Sequence, residues 1–382
     1  MLKFARSAWN RVTQKENGRA YSFGRPLVLL QSDDWGRVGV RDQEGYEQLR
    51  AQGMELGEHP YDFYTLETAS DVMALHEMLG RHRDSTGRSA CIVMNFLCAN
   101  LDFGMMALDG FQKIHLRPLK QGLPGRWQRP GLVEAYHEGI NTGVFYAALH
   151  GLTHFCSMAI ESALARNEDR ARALRTLWQA ETPYIYWRMP WVGYEYNNPE
   201  PPAAGFLPLS AQIELIGRAV EFYCDFLGSC PRSACAPGFR ANEATREAWW
   251  KNGIRIAQNG TGGSIFPTMN ARGMLSLYRT LDFEPSESEV SIENCIRFAD
   301  QHLARGMPLI ISVHSINFHS SLRDFRSDTL GQLDRFLSAL ERKYPDLLYV
   351  HDEDVYSLVN QGAFTSAPGT TAVAVKLQET TG

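Results

Sequence analysis

The sequence predicts an α/β fold built on a parallel sheet, and three observations support this prediction. Short, continuous apolar runs recur along the chain, as expected of strands that are covered on both faces. Longer amphipathic stretches separate these runs, which is the alternation typical of βα units. No glycine-rich phosphate loop follows any run, which argues against a dinucleotide-binding sheet. On this pattern alone, a closed barrel and an open doubly wound sheet both remain candidates.

Eight apolar runs are predicted as strands, because each is short and is followed by polar or turn-forming residues. In chain order the predicted strands are 26–34, 90–97, 144–151, 232–238, 254–260, 275–283, 308–315 and 347–352.

Four amphipathic stretches are predicted as helices, at residues 210–228, 242–253, 291–306 and 327–344. Ser210 is the predicted N-cap of the first helix and Gly228 its C-terminal residue, while Asn242 is the predicted N-cap of the second. Two further regions, 98–140 and 157–209, are too long for simple connections. They are predicted as insertions, which on an α/β scaffold usually carry function.

Composition and charge exclude several classes of protein. The 382 residues include 38 Lys and Arg against 43 Asp and Glu, a net charge of −5, which excludes a strongly basic nucleic-acid-binding protein. No apolar run reaches the roughly 18 residues that a membrane span needs, and the N-terminus lacks the apolar core of a secretory signal. Seven scattered cysteines without a CxxC pair predict reduced thiols and a cytoplasmic location.

The predicted domain organisation is a single domain with extensions at both ends. Residues 1–24 form an N-terminal extension, 25–361 a single domain with the two insertions, and 362–382 a flexible C-terminal tail. The oligomeric state stays open.

Ionisable residues follow several predicted strands, at the edge where α/β folds gather functional groups. Asp33 and Asp34 end the first strand, His150 and then His154 follow the third, and His314 ends the seventh. Each has an ordinary structural explanation when taken singly. Together, two imidazoles and one carboxylate suit a catalytic transition-metal site with open positions. A second carboxylate could serve as a base, and a histidine on the far side could protonate a leaving group.

These residues resemble the motifs of the polysaccharide deacetylases, a family of the glycoside hydrolase/deacetylase barrel superfamily, in a divergent branch. Residues 32–36 read SDDWG, 150–154 read HGLTH, and His314 opens a His-x-x-Asn motif that ends at Asn317. The resemblance covers roughly residues 25–360. It implies a distorted TIM-like (β/α)7–8 barrel of the deacetylase type with long loop insertions.

The resemblance also implies an activity, a metal-dependent N-deacetylase acting on an acetylated sugar, glycan or glycan precursor. Asp34, His150 and His154 would hold a divalent metal, zinc in the first place and cobalt, nickel or manganese as alternatives. Asp33 would take a proton from the attacking water, and His314 would donate one to the departing amine.

Further residues are assigned to substrate and to orientation. The family arginine that orients the base precedes a Pro-aromatic element, whereas here Arg240 follows Phe239, so the resemblance supplies no such arginine. The aromatic segment 184–196 is either a carbohydrate platform or a loop that packs on itself or on a partner subunit. The substrate-binding candidates are Trp35, Trp187, Arg188, Trp191, Phe239 and Arg240, and the candidate orienting groups are Asp282, Glu284 and His319.

Two other functions remain open at this point. A glycoside hydrolase on a related barrel would use paired carboxylates without a metal between them. A non-catalytic carbohydrate-binding barrel would need no reactive groups at all.

Overall fold

The computed structural model describes residues 18–260, 265–365 and 371–380. These residues form 18 strands and 11 α-helices, joined by turns and short 3-10 helices. The strands are β1 (Gly18–Phe23), β2 (Leu27–Trp35), β3 (Ile92–Leu97), β4 (Ala99–Leu101), β5 (Leu116–Pro118), β6 (Phe145–Gly151), β7 (Asn197–Asn198), β8 (Gly205–Phe206), β9 (Ser233–Cys235), β10 (Ile256–Asn259), β11 (Thr268–Asn270), β12 (Leu275–Tyr278), β13 (Leu281–Asp282), β14 (Leu309–His314), β15 (Leu348–Tyr349), β16 (Ala363–Phe364), β17 (Val373–Ala374) and β18 (Leu377–Thr380). The helices are α1 (Gln43–Ala51), α2 (Ala69–Arg81), α3 (Phe103–Leu108), α4 (Leu132–Asn141), α5 (Ser157–Arg166), α6 (Glu168–Gln179), α7 (Leu209–Leu227), α8 (Glu243–Lys251), α9 (Ile292–Leu303), α10 (Arg326–Lys343) and α11 (Asp352–Gln361).

One large mixed sheet organises the chain. Its parallel part runs in the order β13-β14-β2-β3-β6-β9-β10-β12, and the antiparallel strands β11, β1 and β18 extend it beyond β12. The short strand β15 pairs in parallel with the start of β2. The predicted α/β fold with a parallel sheet is therefore confirmed.

A single segment of chain links the two ends of the parallel part. β12 pairs with β10, and after only Arg279 and Thr280 the chain continues as β13, which pairs with β14. The predicted strand 275–283 is therefore two strands that serve opposite ends of the sheet. The sheet is strongly curled, in keeping with the predicted TIM-like architecture, but its hydrogen-bonded ladder stays open between β12 and β13.

The curled sheet is apolar at the amino ends of its strands and polar at their carboxyl ends. Side chains on one face of a strand alternate with those on the other. On the inner face of β2, Leu27 and Leu29 belong to a small apolar cluster with Ile256 and Ile310. The next two positions on that face are Gln31 and Asp33, and both side chains are buried. The larger apolar core lies between the sheet and the surrounding helices.

The predicted helix ends are partly correct. Asn242 caps α8, because its side chain accepts a hydrogen bond from the Thr245 amide, and Gly228 ends α7 in a left-handed conformation with φ 75°. Ser210 is not an N-cap, because α7 already begins at Leu209 after Pro208. The predicted insertion 98–140 contains β4, α3, β5 and most of α4, and the insertion 157–209 contains α5, α6, β7 and β8.

The described residues at the two chain ends form strands, and the division into one domain with two extensions stays a prediction. β1 lies within the predicted N-terminal extension, yet it pairs with β11 and β18 at the edge of the main sheet. β18 lies within the tail predicted to be flexible, and β16 pairs with β17. The remaining parts of both predictions, residues 1–17, 366–370 and 381–382, lie outside the described residues.

The prediction of seven reduced cysteines is also wrong. Cys224 and Cys230 form a disulfide across the left-handed turn that ends α7, with their Cα atoms 4.6 Å apart. The other five cysteines are free and buried. The argument from reduced thiols for a cytoplasmic location therefore no longer applies. The location of the protein stays a prediction. Among the described residues, no helix combines the length and the apolar character that crossing a bilayer requires.

Candidate metal centre and catalytic residues

The two adjacent aspartates reach the same rim because the backbone leaves strand geometry between them. In a regular strand, neighbouring side chains point to opposite faces. Asp34 instead adopts a left-handed conformation with φ 74°, and the register of β2 against β3 shifts between Ser32 and Trp35. Both carboxylates are consequently buried at the carboxyl end of β2, each 2% exposed.

Asp34, His150 and His154 meet as a compact cluster of potential metal ligands. Asp34 Oδ1 lies 3.5 Å from His150 Nε2 and 3.3 Å from His154 Nε2. This oxygen is buried and lacks a hydrogen-bond partner, an arrangement that is costly unless something else binds it. The residues therefore fit a divalent metal, with one carboxylate and two imidazoles as in catalytic zinc sites.

The neighbours of this cluster orient its ligand atoms. His150 Nδ1 lies 3.0 Å from the Cys235 carbonyl oxygen and His154 Nδ1 lies 3.1 Å from the Tyr184 hydroxyl, which leaves both Nε2 atoms facing Asp34. Arg37 donates to the other Asp34 oxygen at 2.9 Å. Such outer partners fix the orientation of metal-binding histidines.

Electrostatics keep Asp34 and His154 in the protonation states that a metal needs. Burial alone would raise the pKa of Asp34, but Arg37 and the two histidines hold it well below its usual range. Burial, reinforced by Arg37 and His150, lowers the pKa of His154 well below its usual range and keeps the imidazole neutral.

Asp33 lies beside this cluster and is held by a buried arginine. Arg279 donates to both Asp33 oxygens, at 2.6 and 2.8 Å, and Asn95 donates to Oδ1 at 2.8 Å. Burial opposes ionisation, but Arg279, His150 and His314 lower the pKa of Asp33 to about 2. A second potential metal group, Asp33 with His150 and Cys235, fits less well, because Arg279 already pairs with the Asp33 carboxylate.

Arg279 is a buried partner of Asp33 that the sequence analysis did not identify. It follows β12 rather than preceding the Pro-aromatic element, and its side chain is completely buried. The one signal in the sequence is a charged residue within the apolar run 275–283.

His314 faces Asp33 from the end of β14. Its Nε2 lies 3.9 Å from Asp33 Oδ2, and its Nδ1 lies 2.7 Å from Glu284 Oε1. Burial disfavours the imidazolium, but Glu284 and the two aspartates raise the pKa of His314 to about 10. Asn317 of the His-x-x-Asn motif donates to the other Glu284 oxygen at 2.5 Å. Glu284 is thus the carboxylate that contacts His314, whereas Asp282 is exposed.

Glu195 is a buried residue that the sequence reasoning missed. Its carboxylate accepts hydrogen bonds from the Leu152 and Thr153 amides, at 2.9 and 3.0 Å, within the turn that joins the two histidines. Burial raises its pKa to about 8, against the opposing effect of these amides.

Two predicted site residues point away from the rim. Trp35 is fully buried and stacks on Phe318 with the ring centroids 5.9 Å apart, so the prediction that it binds substrate is wrong. The bulge at Asp34 directs this side chain into the core. His319 is 1% exposed and lies 3.4 Å from Glu67 and against the Tyr64 ring. These contacts place His319 in the packing behind the site and not against His314.

The aromatic segment packs largely on the protein itself. Trp187 Nε1 donates to Asp62 at 2.8 Å, and Arg188 pairs with the same carboxylate at 3.0 Å. Trp191 lies under the Arg170 guanidinium, 4.7 Å from the ring centroid. Trp187 remains 37% exposed, so its predicted contact with substrate stays a prediction.

Phe239 and Arg240 lie beside side chains that contact Asp33 and His154. The Arg279 guanidinium lies 4.9 Å from the centroid of the Phe239 ring. Arg240 lies 5.9 Å from the centroid of Tyr194, whose ring in turn contacts His154 with a centroid separation of 5.4 Å. Both residues are partly exposed, and their predicted role in binding substrate stays a prediction.

Comparison with solved structures identifies the fold. No protein-family model matches the chain, and a search of curated proteins finds no match. A "putative glycoside hydrolase/deacetylase" from Parabacteroides distasonis is similar over 90% of this chain and 73% of its own, with 11% identity and a TM-score of 0.51. A family 4 carbohydrate esterase from Streptomyces lividans matches over 86% and 94%, with 13% identity and a TM-score of 0.34.

A third structural match is to a larger protein. It is the 4-alpha-glucanotransferase from Thermococcus litoralis, with 8% identity and a TM-score of 0.44. The alignment covers 89% of this chain but spans only 41% of that protein. At such identities the likeness shows the fold alone, and this chain shares its overall fold with the structure from Parabacteroides distasonis.

Proposed function

We propose that the protein is a metal-dependent N-deacetylase that hydrolyses the acetamide of an acetylated sugar, glycan or glycan precursor. The observation that carries this proposal is the unpartnered Asp34 Oδ1, buried between two imidazole nitrogens and next to an arginine-held aspartate. The name of the Parabacteroides structure is consistent with this activity.

Asp34, His150 and His154 are the proposed ligands of a divalent metal, with zinc as the first candidate. Once bound, the metal would act as a Lewis acid towards the acetamide carbonyl. Arg37 keeps Asp34 ionised, and burial keeps His154 neutral, so neither ligand has to lose a proton at neutral pH.

Asp33 and His314 are the proposed acid–base pair. Asp33 is ionised at neutral pH and can accept the proton of the attacking water. His314 is protonated at neutral pH and can donate from Nε2 to the amine as the carbon–nitrogen bond breaks. The products are acetate and the free amine, so one water is consumed and no other reactant is needed.

The electrostatics disfavour the glycoside hydrolase alternative. Such an enzyme needs paired carboxylates, one of which stays protonated near neutral pH. The pKa values of the paired Asp33 and Asp34 are both lowered, because each carboxylate has its own arginine. Glu195, whose pKa burial raises to about 8, is engaged by the Leu152 and Thr153 amides. A purely carbohydrate-binding barrel gives no reason to bury these charges together.

Metal content and acetate release test the proposal. Protein purified without chelator, or loaded with zinc, should contain about one metal per chain, and the His150→Ala variant should contain far less. Acetate release from N-acetylglucosamine oligomers should disappear after chelation and return with zinc.

His302→Ala is the matched control. His302 is as buried as His150, each 2% exposed, and its Nδ1 likewise lies close to a backbone carbonyl, that of Phe298 at 2.8 Å. This variant should retain its metal. Equal metal contents in wild type and His150→Ala, or none in the zinc-loaded wild type, would refute the assignment.

A further inference from the structure

A buried polar layer lies beneath Asp33, inside the curled sheet. Its side chains are at most 2% exposed. Burying so many polar groups is costly unless their hydrogen bonds are satisfied, and a fully satisfied network can fix a single arrangement. The layer comprises Gln31 on β2, Asn95 on β3, Ser233 on β9, Gln258 on β10, Arg279 after β12 and Asp352 at the start of α11.

Asp352 is the carboxylate at the base of this layer. Its Oδ1 accepts from Gln31 Nε2 at 2.7 Å, and its Oδ2 accepts from Gln258 Nε2 at 2.8 Å and from the Ser233 hydroxyl. Asp352 belongs neither to the proposed metal ligands nor to the acid–base pair.

Gln31 and Gln258 connect Asp352 to Arg279 through hydrogen bonds. Gln31 Oε1 accepts from Arg279 Nε at 3.2 Å, and Gln258 Oε1 accepts from Arg279 Nη2 at 3.2 Å. An ionised carboxylate only accepts hydrogen bonds and a guanidinium only donates them. Each amide therefore has one orientation that satisfies both neighbours, with its NH₂ on Asp352 and its oxygen on Arg279.

We propose that Asp352 is a positioning residue for the site: it fixes two glutamine amides, and these hold Arg279 in the orientation that grips both oxygens of Asp33. The structural part of this inference stands by itself, and only its kinetic consequence rests on the proposed function.

A simpler role for Asp352 is stabilisation of α11. A carboxylate in the first turn of a helix interacts favourably with the helix dipole. Asp354 lies in the same first turn, is also buried at 4% exposed, and pairs with Arg88 at 2.5 Å outside the polar layer. Asp354→Asn is therefore the matched control, since it removes a buried carboxylate from the same helix end.

The test begins with Asp352→Asn and the Nε–H signal of Arg279 in NMR spectra. An asparagine offers one acceptor and one donor group, so one glutamine amide must turn an N–H towards Arg279. Hydrogen exchange of the Arg279 Nε–H, identified by its loss in Arg279→Lys, should accelerate in Asp352→Asn and stay unchanged in Asp354→Asn. Should Asp352→Asn fail to fold, Gln31→Met removes one of the two acceptors and should accelerate the same exchange.

The kinetic readout is the division of the loss between kcat and KM. Outer partners of a site typically contribute at least ~10-fold to activity, and we expect that loss in Asp352→Asn, in kcat rather than in KM. Asp354→Asn should leave both constants close to those of the wild type, because its partner Arg88 lies outside the polar layer.

Two results would overturn the inference. One is unchanged hydrogen exchange of the Arg279 Nε–H in Asp352→Asn, and the other is a loss of kcat in Asp354→Asn equal to that in Asp352→Asn. Absence of activity in the wild type would contradict the proposed function instead, and the exchange measurement would still decide the role of Asp352.

Discussion

Replacement of Arg279 by methionine should destabilise the protein in a way that depends on pH. The pKa of Asp33 is about 2, against an ordinary value of 3.8, and one pKa unit corresponds to about 1.4 kcal/mol. The surroundings of Asp33, chiefly Arg279, therefore favour its ionised form by about 2 kcal/mol after the cost of burial. Because this folded pKa is depressed, the stabilisation is present at neutral pH and is lost as the pH falls from about 4 towards 2.

In Arg279→Met, the dependence of stability on pH should run in the opposite direction. Removing one partner of a buried ion pair typically costs about 3–5 kcal/mol, because the other charge stays buried and unpaired. Burial is the largest influence on Asp33 and raises its pKa, so in Arg279→Met this residue should take up a proton well above pH 2. Protonation relieves the unpaired charge. The loss in the free energy of unfolding, relative to wild type, should be greatest near pH 8 and smaller at pH 5, as measured by urea denaturation.

Arg88→Met is the control for this experiment. Arg88 pairs with Asp354, and the two side chains are 10% and 5% exposed, so this variant should also be destabilised. It should leave the pH profile of acetate release unchanged, because the pair lies outside the site. The reasoning would be refuted if Arg279→Met lost the same free energy of unfolding at pH 5 and pH 8 and also kept the acid limb of the pH profile of acetate release unchanged.

Three further variants test the proposed acid–base pair. Asp33→Asn should retain metal and fold but lose about 10²- to 10⁴-fold in kcat, and near-normal turnover in a folded variant would contradict a role as base. Glu284→Gln removes the main charge that raises the pKa of His314 to about 10, so the alkaline limb of the kcat profile should move to lower pH. His314→Ala should lose amide hydrolysis but much less hydrolysis of an activated ester, because a good leaving group needs little protonation. Equal losses on both substrates would instead indicate that His314 supports the site.

The sequence predicted that Asp34, His150 and His154 would lie together because these residues follow strands of one parallel sheet. Strand ends of such a sheet meet at one rim, so residues 116 positions apart, such as Asp34 and His150, become neighbours at 3.5 Å. The prediction needed only the strand positions, which apolar runs mark well. The same runs located both His314 and the helices that follow.

Contacts between distant segments without such a marker could not be predicted. Arg279 reaches Asp33 from a segment 246 positions away, and its only signal was a charge in an apolar run. The orientation of Trp35 could not be predicted either, because it depends on the left-handed conformation of the preceding residue Asp34, with φ 74°. The edge strands β1 and β18 form from polar, short segments whose pairing depends on each other rather than on their own sequence.

The adjacent aspartates acquire different chemistry from the number of donors that each receives. Each carboxylate oxygen can accept about two hydrogen bonds. Asp33 Oδ1 accepts from Arg279 and Asn95, which fills it, whereas Oδ2 accepts one strong hydrogen bond, from Arg279 Nη1, and a long one from the Cys235 thiol at 3.9 Å. Oδ2 also faces His314 at 3.9 Å. It is therefore the oxygen that can exchange a weak donor for a proton, and it lies on the side of the proposed acid. Asp34 has the opposite arrangement, with Arg37 on Oδ2 and no hydrogen-bond donor on Oδ1. The two carboxylates are adjacent in sequence, yet their hydrogen bonds suit Asp33 to exchange a proton and Asp34 to bind a cation.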